Sequence, residues 1–392
     1  MNTVGNRIVE QLPEAGETVV VAMSGGVDSS VAAAVLKEQG INVVGITLQI
    51  WQESSTETKG AGCCSLGAVE DARRVAAKIG IPHYVLNYRE PFAEKVIKPF
   101  VESYKQGWTP NPCINCNRYI KFNALMKRAK QLGATKLATG HYARVFRDTA
   151  TDRYGLLTAG TVAKDQSYAL YASTQGELAH MTMPLGGVVS KDETREMARK
   201  YNLAVAEKPD SQEICFVQNG DYRDFLAESA PETLAPGKFV DSAGKVRGSH
   251  EGAAHFTVGQ RKKINIGSAT PLYVLSVDAK TGEVTIGTDD ELYARGCVVQ
   301  DLNWVALPPL AIGAEPYPCA VKIRYNMAPA PAHLVRTEDD MVHVRFDEPL
   351  RAVAPGQAAV YYGIGEQEGW VLGGGTITGK LPSESFVNCV TV

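Results

Sequence analysis

Two motifs in this chain place cysteines where a thiol could do chemistry. Residues 111–122 read Asn-Pro-Cys-Ile-Asn-Cys-Asn-Arg-Tyr-Ile-Lys-Phe, which puts Cys113 and Cys116 in Cys-x-x-Cys spacing, and residues 210–216 contain Cys215. A thiolate is both a nucleophile and a metal ligand. The pair alone is compatible with half of a zinc site, a redox pair or part of a cluster ligand set, and inert buried thiols are the structural alternative.

A second motif could bind an anion. Residues 19–30 read Val-Val-Val-Ala-Met-Ser-Gly-Gly-Val-Asp-Ser-Ser, so an apolar strand leads through a glycine turn directly into a helix. Glycines let the backbone approach an anion, and the N–H groups at the helix start point towards it. Ser24 and Ser29 can add hydroxyl donors, and Asp28 can hold Mg²⁺ against phosphates. The Gly-Lys-Ser/Thr ending of a Walker loop is absent, and a bare strand-turn-helix corner is the structural alternative.

The elements around these motifs alternate between strand and helix. Apolar, β-branched runs predict strands at residues 19–22, 42–50, 83–86 and 136–139. Helical spacing predicts helices over residues 28–39, 66–79, 90–105 and 117–132, and Ser190 with Glu193 predicts a capping box opening a helix to about residue 202. This alternation predicts an α/β domain with a parallel sheet covered on both faces.

Beyond about residue 217 the pattern becomes β-rich. Short alternating stretches at residues 272–277, 283–286, 320–325 and 341–346 predict strands, and the pattern breaks near residue 290. We therefore expect three domains: a catalytic α/β domain at 1–218, a small central β-rich domain at 219–290, and a C-terminal domain at 291–392 resembling a β-barrel.

The bulk composition narrows the class of protein. The chain has 392 residues, is 44% hydrophobic and 21% charged, and contains no apolar run near the roughly 20 residues that cross a bilayer. We expect a cytoplasmic protein without a membrane partner. The net charge of −3 gives no bulk sign of nucleic acid, so an RNA partner would need a local basic face.

The order of the motifs resembles one family along nearly the whole chain. The Ser-Gly-Gly-x-Asp-Ser loop resembles the pyrophosphate loop of the ATP pyrophosphatases, which cleave ATP to AMP and pyrophosphate. That loop is followed by the 111–117 motif, Thr-Gly-His-Tyr-Ala at 139–143, Lys-Asp-Gln-Ser-Tyr at 164–168 and the Cys215 motif. Thr-Val-Gly-Gln-Arg at 257–261, Lys-Ile-Arg-Tyr at 322–325 and Pro-Gly-Gln at 355–357 come later. This series is similar to the tRNA-specific 2-thiouridylases, sulfurtransferases with a Rossmann-like adenine nucleotide hydrolase domain.

The resemblance implies a role for each matched position. Cys116 matches the nucleophile and Cys215 the cysteine that carries sulfur as a persulfide. The implied ATP site consists of Ala22, Met23, Ser24, Gly25, Gly26, Val27, Asp28, Ser29, Leu48 and Gly140. The implied tRNA contacts are Asn111, Pro112, Cys113, His141, Lys164, Asp165, Gln166, Arg324, Tyr325 and Gln357.

The implied reaction replaces O2 of the wobble uridine, position 34 of tRNA, with sulfur. ATP, with Mg²⁺, would adenylate the oxygen, and an upstream donor such as a cysteine desulfurase or sulfur relay protein would supply the sulfur. Many relatives have Asp where this chain has Cys113, which leaves two routes open. Either Cys116 and Cys215 act as a persulfide pair, with Cys116 placed at the start of the helix at Asn117, or Cys113, Cys116 and Cys215 bind a [4Fe-4S] cluster that carries sulfide.

Positive charge is concentrated in several runs that could meet RNA, at Arg118, Lys121, Lys127, Arg128, Lys130, Arg144, Arg147, Arg261, Lys262, Lys263, Lys322 and Arg324. A solvated helix face is the common alternative for any single run. Tyr142, Tyr168 and Tyr325 could stack on bases, with core packing an equal alternative.

Two rival functions are an amide-forming ligase with the same loop and a non-catalytic RNA-binding or sulfur-carrier protein.

Overall fold

The computed structural model of the chain describes residues 7–50, 66–210, 214–217 and 221–382. Its contacts divide the chain into two compact units. Among the described residues, the first unit contains 7–97, 112–217 and 369–372, and the second contains 98–111, 221–368 and 373–382. None of the described helices is long and apolar enough to cross a membrane.

The first unit is built on a five-stranded parallel sheet. Its strands lie in the order His83–Asn87, Asn42–Gln49, Thr18–Ala22, Lys136–Ala138, Met181–Thr182. The central strand is the most apolar, and Val19, Val20 and Val21 are completely buried. A strand buried on both faces reads as a continuous apolar run rather than an alternating one. The α/β prediction with a parallel sheet is therefore confirmed.

The helices of the first unit follow one another in the predicted order, but two of them are partly wound as π-helices and not as α-helices throughout. Residues 90–105 and 117–132 were expected to form plain α-helices, whereas each region contains a π-helical stretch and the second begins at Pro112. The helical segments span Val27–Glu38, Leu66–Ile79, Arg89–Phe92, Ala93–Ile97 (π), Pro112–Asn115, Cys116–Ala124 (π), Leu125–Gln131, Gln175–Leu178 and Lys191–Lys200, with 3₁₀ turns at Val162–Lys164 and Ser167–Leu170.

Ser190 caps its helix as predicted, although only half of the capping box forms. Its hydroxyl accepts a hydrogen bond from the Glu193 amide at 3.2 Å. The Glu193 carboxylate instead accepts from the amide of Val189 at 3.0 Å. Two backbone N–H groups at the start of the helix Lys191–Lys200 are still satisfied, which fixes where that helix begins.

A small antiparallel arrangement completes the first unit. Arg144–Asp148 pairs with both Ile8–Glu10 and Arg153–Leu157. Trp370 is 1% exposed and packs on Phe146, with ring centroids 4.5 Å apart. No sequence pattern had singled out these strands.

The second unit contains a four-stranded sheet and a barrel. The sheet has the order Val246–His250, Gly237–Val240, Glu283–Gly287, Tyr273–Asp278, which confirms the strands predicted at 272–277 and 283–286. Its apolar face buries Phe239, Phe256 and Val284. The helical segments of this unit are Lys98–Lys105, Tyr222–Ser229, Pro231–Leu234, Ala253–His255, Asp290–Leu292 and Gly365–Gln367.

Six strands close on themselves to form the C-terminal β-barrel, as predicted. Their order is Trp370–Lys380, Tyr293–Trp304, Met341–Arg351, Ala330–Glu338, Tyr317–Lys322, Ala358–Tyr362, and the last pairs with the first. The strand predicted over 320–325 ends earlier, at Lys322, because residues 323–327 form bends and a turn. Tyr325 is consequently 38% exposed.

Candidate active site

The glycine loop connects the central strand of the first unit to the helix Val27–Glu38. Gly26 is the N-cap of this helix, and no side chain caps it. Gly25 has φ +71°, and a Cβ there would stand 2.0 Å from the carbonyl oxygen of Ala68. Only glycine meets both conditions, so the loop can turn tightly into the helix, whose first N–H groups, as at any helix start, have no partner within the helix.

The serine hydroxyls brace this loop. Oγ of Ser29 accepts from the amide of Ser24 at 3.1 Å and donates to the carbonyl of Gly26 at 3.3 Å. Oγ of Ser30 donates to the same carbonyl at 2.8 Å. Sequence reasoning expected Ser24 and Ser29 to serve as hydroxyl donors, and the structure shows that they also hold the loop in shape.

Gly140 approaches the same helix start from the loop after the strand Lys136–Ala138. A Cβ on Gly140 would stand 2.5 Å from the backbone nitrogen of Ser29. The loop and Gly140 are thus brought together although more than a hundred residues separate them in sequence. Of the other expected nucleotide contacts, Met23 is buried, and Ala22 and Leu48 are half-buried.

Asp28 is bound by two side chains that the sequence did not indicate. Its Oδ1 accepts from the hydroxyl of Tyr142 at 2.6 Å and from Nζ of Lys191 at 2.6 Å. Burial and the neighbouring Asp28 carboxylate raise the pKa of Tyr142, so its hydroxyl stays a donor. Tyr142 is 1% exposed and Tyr168 is completely buried, so core packing, not base stacking, describes both.

A second carboxylate, Asp210, collects three cations beside this pair. It accepts from Lys191 and Lys164 at 2.9 Å and from Arg195 at 3.5 Å. Burial opposes ionisation of Asp210, but the hydrogen bonds from Lys191 and Lys164 outweigh it and lower its pKa. Nζ of Lys208 donates to the carbonyl of Gly25 at 3.0 Å and to Asp71 at 2.7 Å. No local spacing could have pointed to these partners, because each contact joins distant parts of the chain.

The Cys-x-x-Cys pair lies on one continuous helical segment, residues 112–131. Cys113 is exposed, whereas Cys116 is partly exposed and opens the π-helical stretch. The amide of Leu125 donates to the carbonyl of Ile120, five residues back, as π-winding requires. The expectation that Cys116 stands at the start of a helix beginning at Asn117 is wrong, because the helix starts at Pro112.

The two cysteine motifs pack on a common element, the helical segment formed by Arg89–Phe92 and Ala93–Ile97. Both Pro112–Asn115 and Cys116–Ala124 contact it. Phe216, which follows Cys215, packs edge-on against Phe92 with ring centroids 5.8 Å apart. Cys215 itself is partly exposed. The motifs of Cys116 and Cys215 therefore meet the same element of the first unit. Ser211, Cys63, Cys64 and Cys389 lie outside the described residues.

The ligand set for a [4Fe-4S] cluster was tested against this arrangement. Within the described part of the chain, which includes Cys113, Cys116 and Cys215, no three His, Cys, Asp or Glu side chains are grouped so that they could hold a metal ion. A cluster with three protein thiolates needs such a group. The described residues do not show such a group, and the assignment of Cys113, Cys116 and Cys215 as cluster ligands stays a prediction. Two further cysteines, Cys297 and Cys319, are buried in the barrel.

Of the expected tRNA contacts in the first unit, Pro112 is buried. His141 lies beside the helical segment 112–131 that carries Cys113 and Cys116, which we call the cysteine helix. Nε2 of His141 is 3.5 Å from Nζ of Lys121, and Nδ1 is 2.8 Å from the hydroxyl of Thr139. Burial of the ring, with a smaller effect of the Lys121 cation, holds the pKa of His141 well below its ordinary value. His141 is therefore a neutral imidazole near pH 7.

The segment containing Lys164, Asp165 and Gln166 is tied into the first unit. Oδ2 of Asp165 accepts from the Ser167 hydroxyl at 2.7 Å, and Oε1 of Gln166 accepts from the amide of Tyr142 at 3.0 Å. Nearby, the buried Asn117 donates to the carbonyl of Ala169 at 2.9 Å. This segment thus braces both Tyr142 and the cysteine helix.

The remaining expected tRNA contacts belong to the second unit. Nε2 of Gln357 donates to the carbonyl of Thr109 at 2.7 Å, two residues before Asn111, which is half-buried. Arg324 donates to the carbonyl of Arg351 at 2.9 Å. Tyr325 is exposed, and Nζ of Lys322 lies 5.8 Å from its ring centroid. Of the three tyrosines expected to stack on bases, Tyr325 is exposed enough to do so.

Three family models match the chain in succession. The tRNA methyl transferase HUP domain matches residues 17–219, the tRNA methyl transferase PRC-barrel domain residues 223–288, and the aminomethyltransferase beta-barrel domain residues 294–377.

The chain is similar in sequence to curated proteins over nearly their full length. The chain is 50% identical over 367 residues to the tRNA-specific 2-thiouridylase MnmA of Heliobacterium modesticaldum, covering 93% of each chain. It is 50% identical over 366 residues to that of Carboxydothermus hydrogenoformans and 44% identical over 363 residues to that of Clostridioides difficile, each time covering 93% of this chain and 98% of the relative. A solved NMN synthetase from Francisella tularensis is 17% identical with a TM-score of 0.32, covering 54% of this chain and 73% of its own, which is too distant to support an argument.

Proposed function

Because this chain belongs to the tRNA-specific 2-thiouridylases, a family of tRNA sulfurtransferases, we propose that it uses ATP to exchange O2 of the wobble uridine, position 34, for sulfur. The observation that supports this best is the glycine loop, with Gly140 seated against the backbone of Ser29, in a chain 50% identical to named 2-thiouridylases. The loop offers backbone N–H groups to an anion, as an ATP-cleaving enzyme of this family needs.

In the proposed ATP site, residues 22–29, Leu48 and Gly140 bind the nucleotide. The N–H groups at the start of the helix Val27–Glu38 receive the phosphates, and Asp28 supplies a hard carboxylate oxygen of the kind that Mg²⁺ prefers. Mg²⁺ neutralises phosphate charge when it is bound. Tyr142 and Lys191 fix the position of the Asp28 carboxylate before the ion arrives.

The proposed first step is adenylation. O2 of the uridine attacks the α-phosphorus of ATP, and pyrophosphate leaves with the electron pair of the broken P–O bond. The urea-like oxygen is a poor leaving group, whereas the adenylate leaves readily as AMP. Holding the two reactants in line supplies much of the rate through positioning and charge stabilisation.

The proposed second step transfers sulfur from a Cys215 persulfide. The persulfide attacks C2, AMP leaves, and the thiolate of Cys116 then attacks Cys215 sulfur, so that the terminal sulfur stays on the base. In the other order, Cys116 first attacks the persulfide and hydrosulfide is released to attack C2. Both orders end in 2-thiouridine and a disulfide between Cys116 and Cys215, which an external thiol reductant reopens.

The sulfur itself would come from a cysteine desulfurase or a sulfur relay protein. Such a donor transfers its persulfide sulfur to the Cys215 thiolate, which requires that thiol to be accessible. Cys215 is partly exposed, which is consistent with transfer from a protein. The proposal assigns the sulfur transfer to Cys116 and Cys215 as a persulfide pair and assigns no step to an iron–sulfur cluster.

We also propose that tRNA contacts Asn111, Pro112, Cys113, His141, Lys164, Asp165, Gln166, Arg324, Tyr325 and Gln357. The wobble base must leave its stack to reach the cysteines, and exposed aromatic rings such as Tyr325 can support unstacked bases. The three domains at 1–218, 219–290 and 291–392 remain our proposed division, supported by three successive family models.

One assay tests the function. Purified protein is incubated with ATP, Mg²⁺, a persulfide donor and unmodified tRNA, and AMP and 2-thiouridine are measured together. We expect both products in equal amounts. AMP formed from ammonia without tRNA would replace this proposal with an amide-forming ligase, and no AMP under any condition would replace it with a binding protein.

A further inference from the structure

We propose that Lys191 is a further residue of the ATP site and that its ammonium group binds the phosphate chain. The inference rests on the ATP site proposed above and adds a residue that lies far from the glycine loop in sequence. Nζ of Lys191 is 2.6 Å from Oδ1 of Asp28, the second residue of the helix whose start receives the phosphates.

The side chain of Lys191 is held in place by its neighbours. It is the first residue of the helix Lys191–Lys200, which Ser190 caps. Its side chain is only 13% exposed, and Nζ also lies 2.9 Å from Asp210 and 5.7 Å from the ring centroid of Tyr142. A long lysine held by two carboxylates and an aromatic ring has already lost most of its conformational freedom, so binding an anion costs little further entropy.

The charges around the loop favour an anion. Two cations contact the loop and the helix start, namely Lys191 and Lys208, and two more, Lys164 and Arg195, bind Asp210, which also binds Lys191. Three carboxylates face them, namely Asp28, Asp71 and Asp210. The sum is +4 − 3 = +1 over these residues. The positive end of the helix Val27–Glu38 adds to this potential at the same place.

Lys191 is also placed to exchange partners. Asp28, the carboxylate proposed to hold Mg²⁺, also accepts from the Lys191 ammonium at 2.6 Å. An ammonium group has three donors, and Asp28 and Asp210 use two of them. When Asp28 turns to Mg²⁺, Asp210 still holds the amine and a donor becomes available for a phosphate oxygen. A lysine with a purely structural role would only tie the two helices together.

The test separates these roles by measuring ligand binding, not turnover. Lys191→Met and Lys191→Arg are prepared in the full chain, with Lys200→Met as the matched control. Lys200 is on the same helix but pairs with Glu38 at the surface, with 64% of its side chain exposed. Titration calorimetry then measures the Kd of ATP in EDTA, of ATP with Mg²⁺, and of adenosine, which has no phosphate.

We expect Lys191→Met to weaken the binding of ATP with Mg²⁺ about tenfold to a hundredfold, the size of one charge-assisted hydrogen bond. Adenosine binding should be unchanged, Lys191→Arg should recover most of the ATP affinity, and Lys200→Met should match the wild type. Unchanged ATP binding by Lys191→Met would overturn the proposal, as would an equal loss of ATP and adenosine affinity. Wild-type protein that binds no ATP would instead overturn the proposed function.

Discussion

Gly140 lies so close to Ser29 that a side chain at position 140 would stand 2.5 Å from the Ser29 backbone nitrogen. The neighbouring Asp28 carbonyl carbon would be 2.7 Å away. Both are backbone atoms at the start of a helix, which cannot swing aside as a flexible side chain can. The shape of the proposed nucleotide site therefore depends on the absence of one methyl group.

Replacing Gly140 with alanine should damage this site directly. Because the helix start or the 139–141 loop must shift, we expect ATP affinity to fall at least about tenfold and the free energy of unfolding to fall by about 1–3 kcal/mol. Calorimetric titration and urea unfolding measure the two effects. Gly176→Ala is the control, since nothing lies within 4 Å of a Cβ there and the residue is helical. Wild-type ATP affinity in Gly140→Ala would refute the assignment of Gly140 to the site.

Tyr142→Phe should weaken the hold on Asp28 without changing the core. The hydroxyl donates to Asp28 and lies 2.9 Å from the Thr194 hydroxyl, so its removal leaves the buried Thr194 hydroxyl and the partly exposed Asp28 carboxylate less satisfied. We expect a loss of about 1–3 kcal/mol in the free energy of unfolding and weaker Mg²⁺-dependent ATP binding. Tyr201→Phe, which removes a half-exposed hydroxyl bonded to Glu38, should change neither measurement appreciably.

Asp148 makes the stability of the first unit depend on pH. Its carboxylate is 2% exposed and accepts two hydrogen bonds from Arg7 at 2.8 and 2.9 Å, and this pairing lowers its pKa from 3.8 to about 2. A depressed carboxyl pKa stabilises the fold above the unfolded-state pKa, and this contribution is lost as the pH falls through the folded-state pKa.

Asp148→Asn should therefore lower the free energy of unfolding by about 1–2 kcal/mol at pH 7, a figure that allows for the partial exposure of Arg7. The difference from wild type should shrink as the pH falls from about 4 to 2. Urea unfolding at a series of pH values measures this. Asp152→Asn, at an exposed residue of the same hairpin, should have no pH-dependent effect. A constant difference across the series would contradict the assignment.

The cysteines should differ sharply in reactivity. Burial raises the pKa of Cys319 to about 12 and also raises that of Cys297, so neither forms a thiolate at pH 8. Cys113 is exposed, and Cys116 and Cys215 are partly exposed. Among the five cysteines that the structure describes, iodoacetamide should alkylate Cys113 first and leave Cys297 and Cys319 unmodified until denaturation, as read by peptide mass spectrometry. Early alkylation of Cys319 would be inconsistent with the barrel core described above.

Iron content separates the two sulfur routes. We expect protein purified without oxygen to contain no stoichiometric iron or labile sulfide, to thiolate tRNA, and to lose that activity in Cys215→Ser while still releasing pyrophosphate in the adenylation step. About four iron atoms and four sulfides per chain, lost in Cys113→Ala, would instead establish a [4Fe-4S] cluster. Cys297→Ala, in the barrel core, is the control for indirect effects of removing a thiol.

Much of the fold follows from local pattern. The central strand was predictable because Val19, Val20 and Val21 form an apolar run closed by a glycine turn, and burial on both faces requires such a run. The helix at residue 191 was predictable because its N-terminal N–H groups need an acceptor and Ser190 supplies one. These features depend on residues that are neighbours in sequence.

The contacts of the site were not predictable in the same way. Lys191 and Asp28 are 163 positions apart, and both are charged residues that local pattern assigns to the surface. Tyr142 and Tyr168 fitted a binding face and a core equally, because an aromatic ring suits both environments. The π-winding after Cys116 was missed since a stretch of nine residues has nearly the same apolar spacing in either winding.

That winding constrains chain length as well as sequence. Each backbone hydrogen bond of a π-helix joins residues five positions apart, one more than in an α-helix. A single-residue deletion within Cys116–Ala124 would therefore let the segment rewind as an α-helix. The residues on the two sides of the deletion would keep much of their relative orientation, because the rewound turn closes with one residue fewer. The same deletion in the α-helical part Leu125–Gln131 would rotate the residues on its two sides relative to each other by about 100°, so gaps in alignments of related chains should fall within the π-helical stretch and not in the α-helix that follows it.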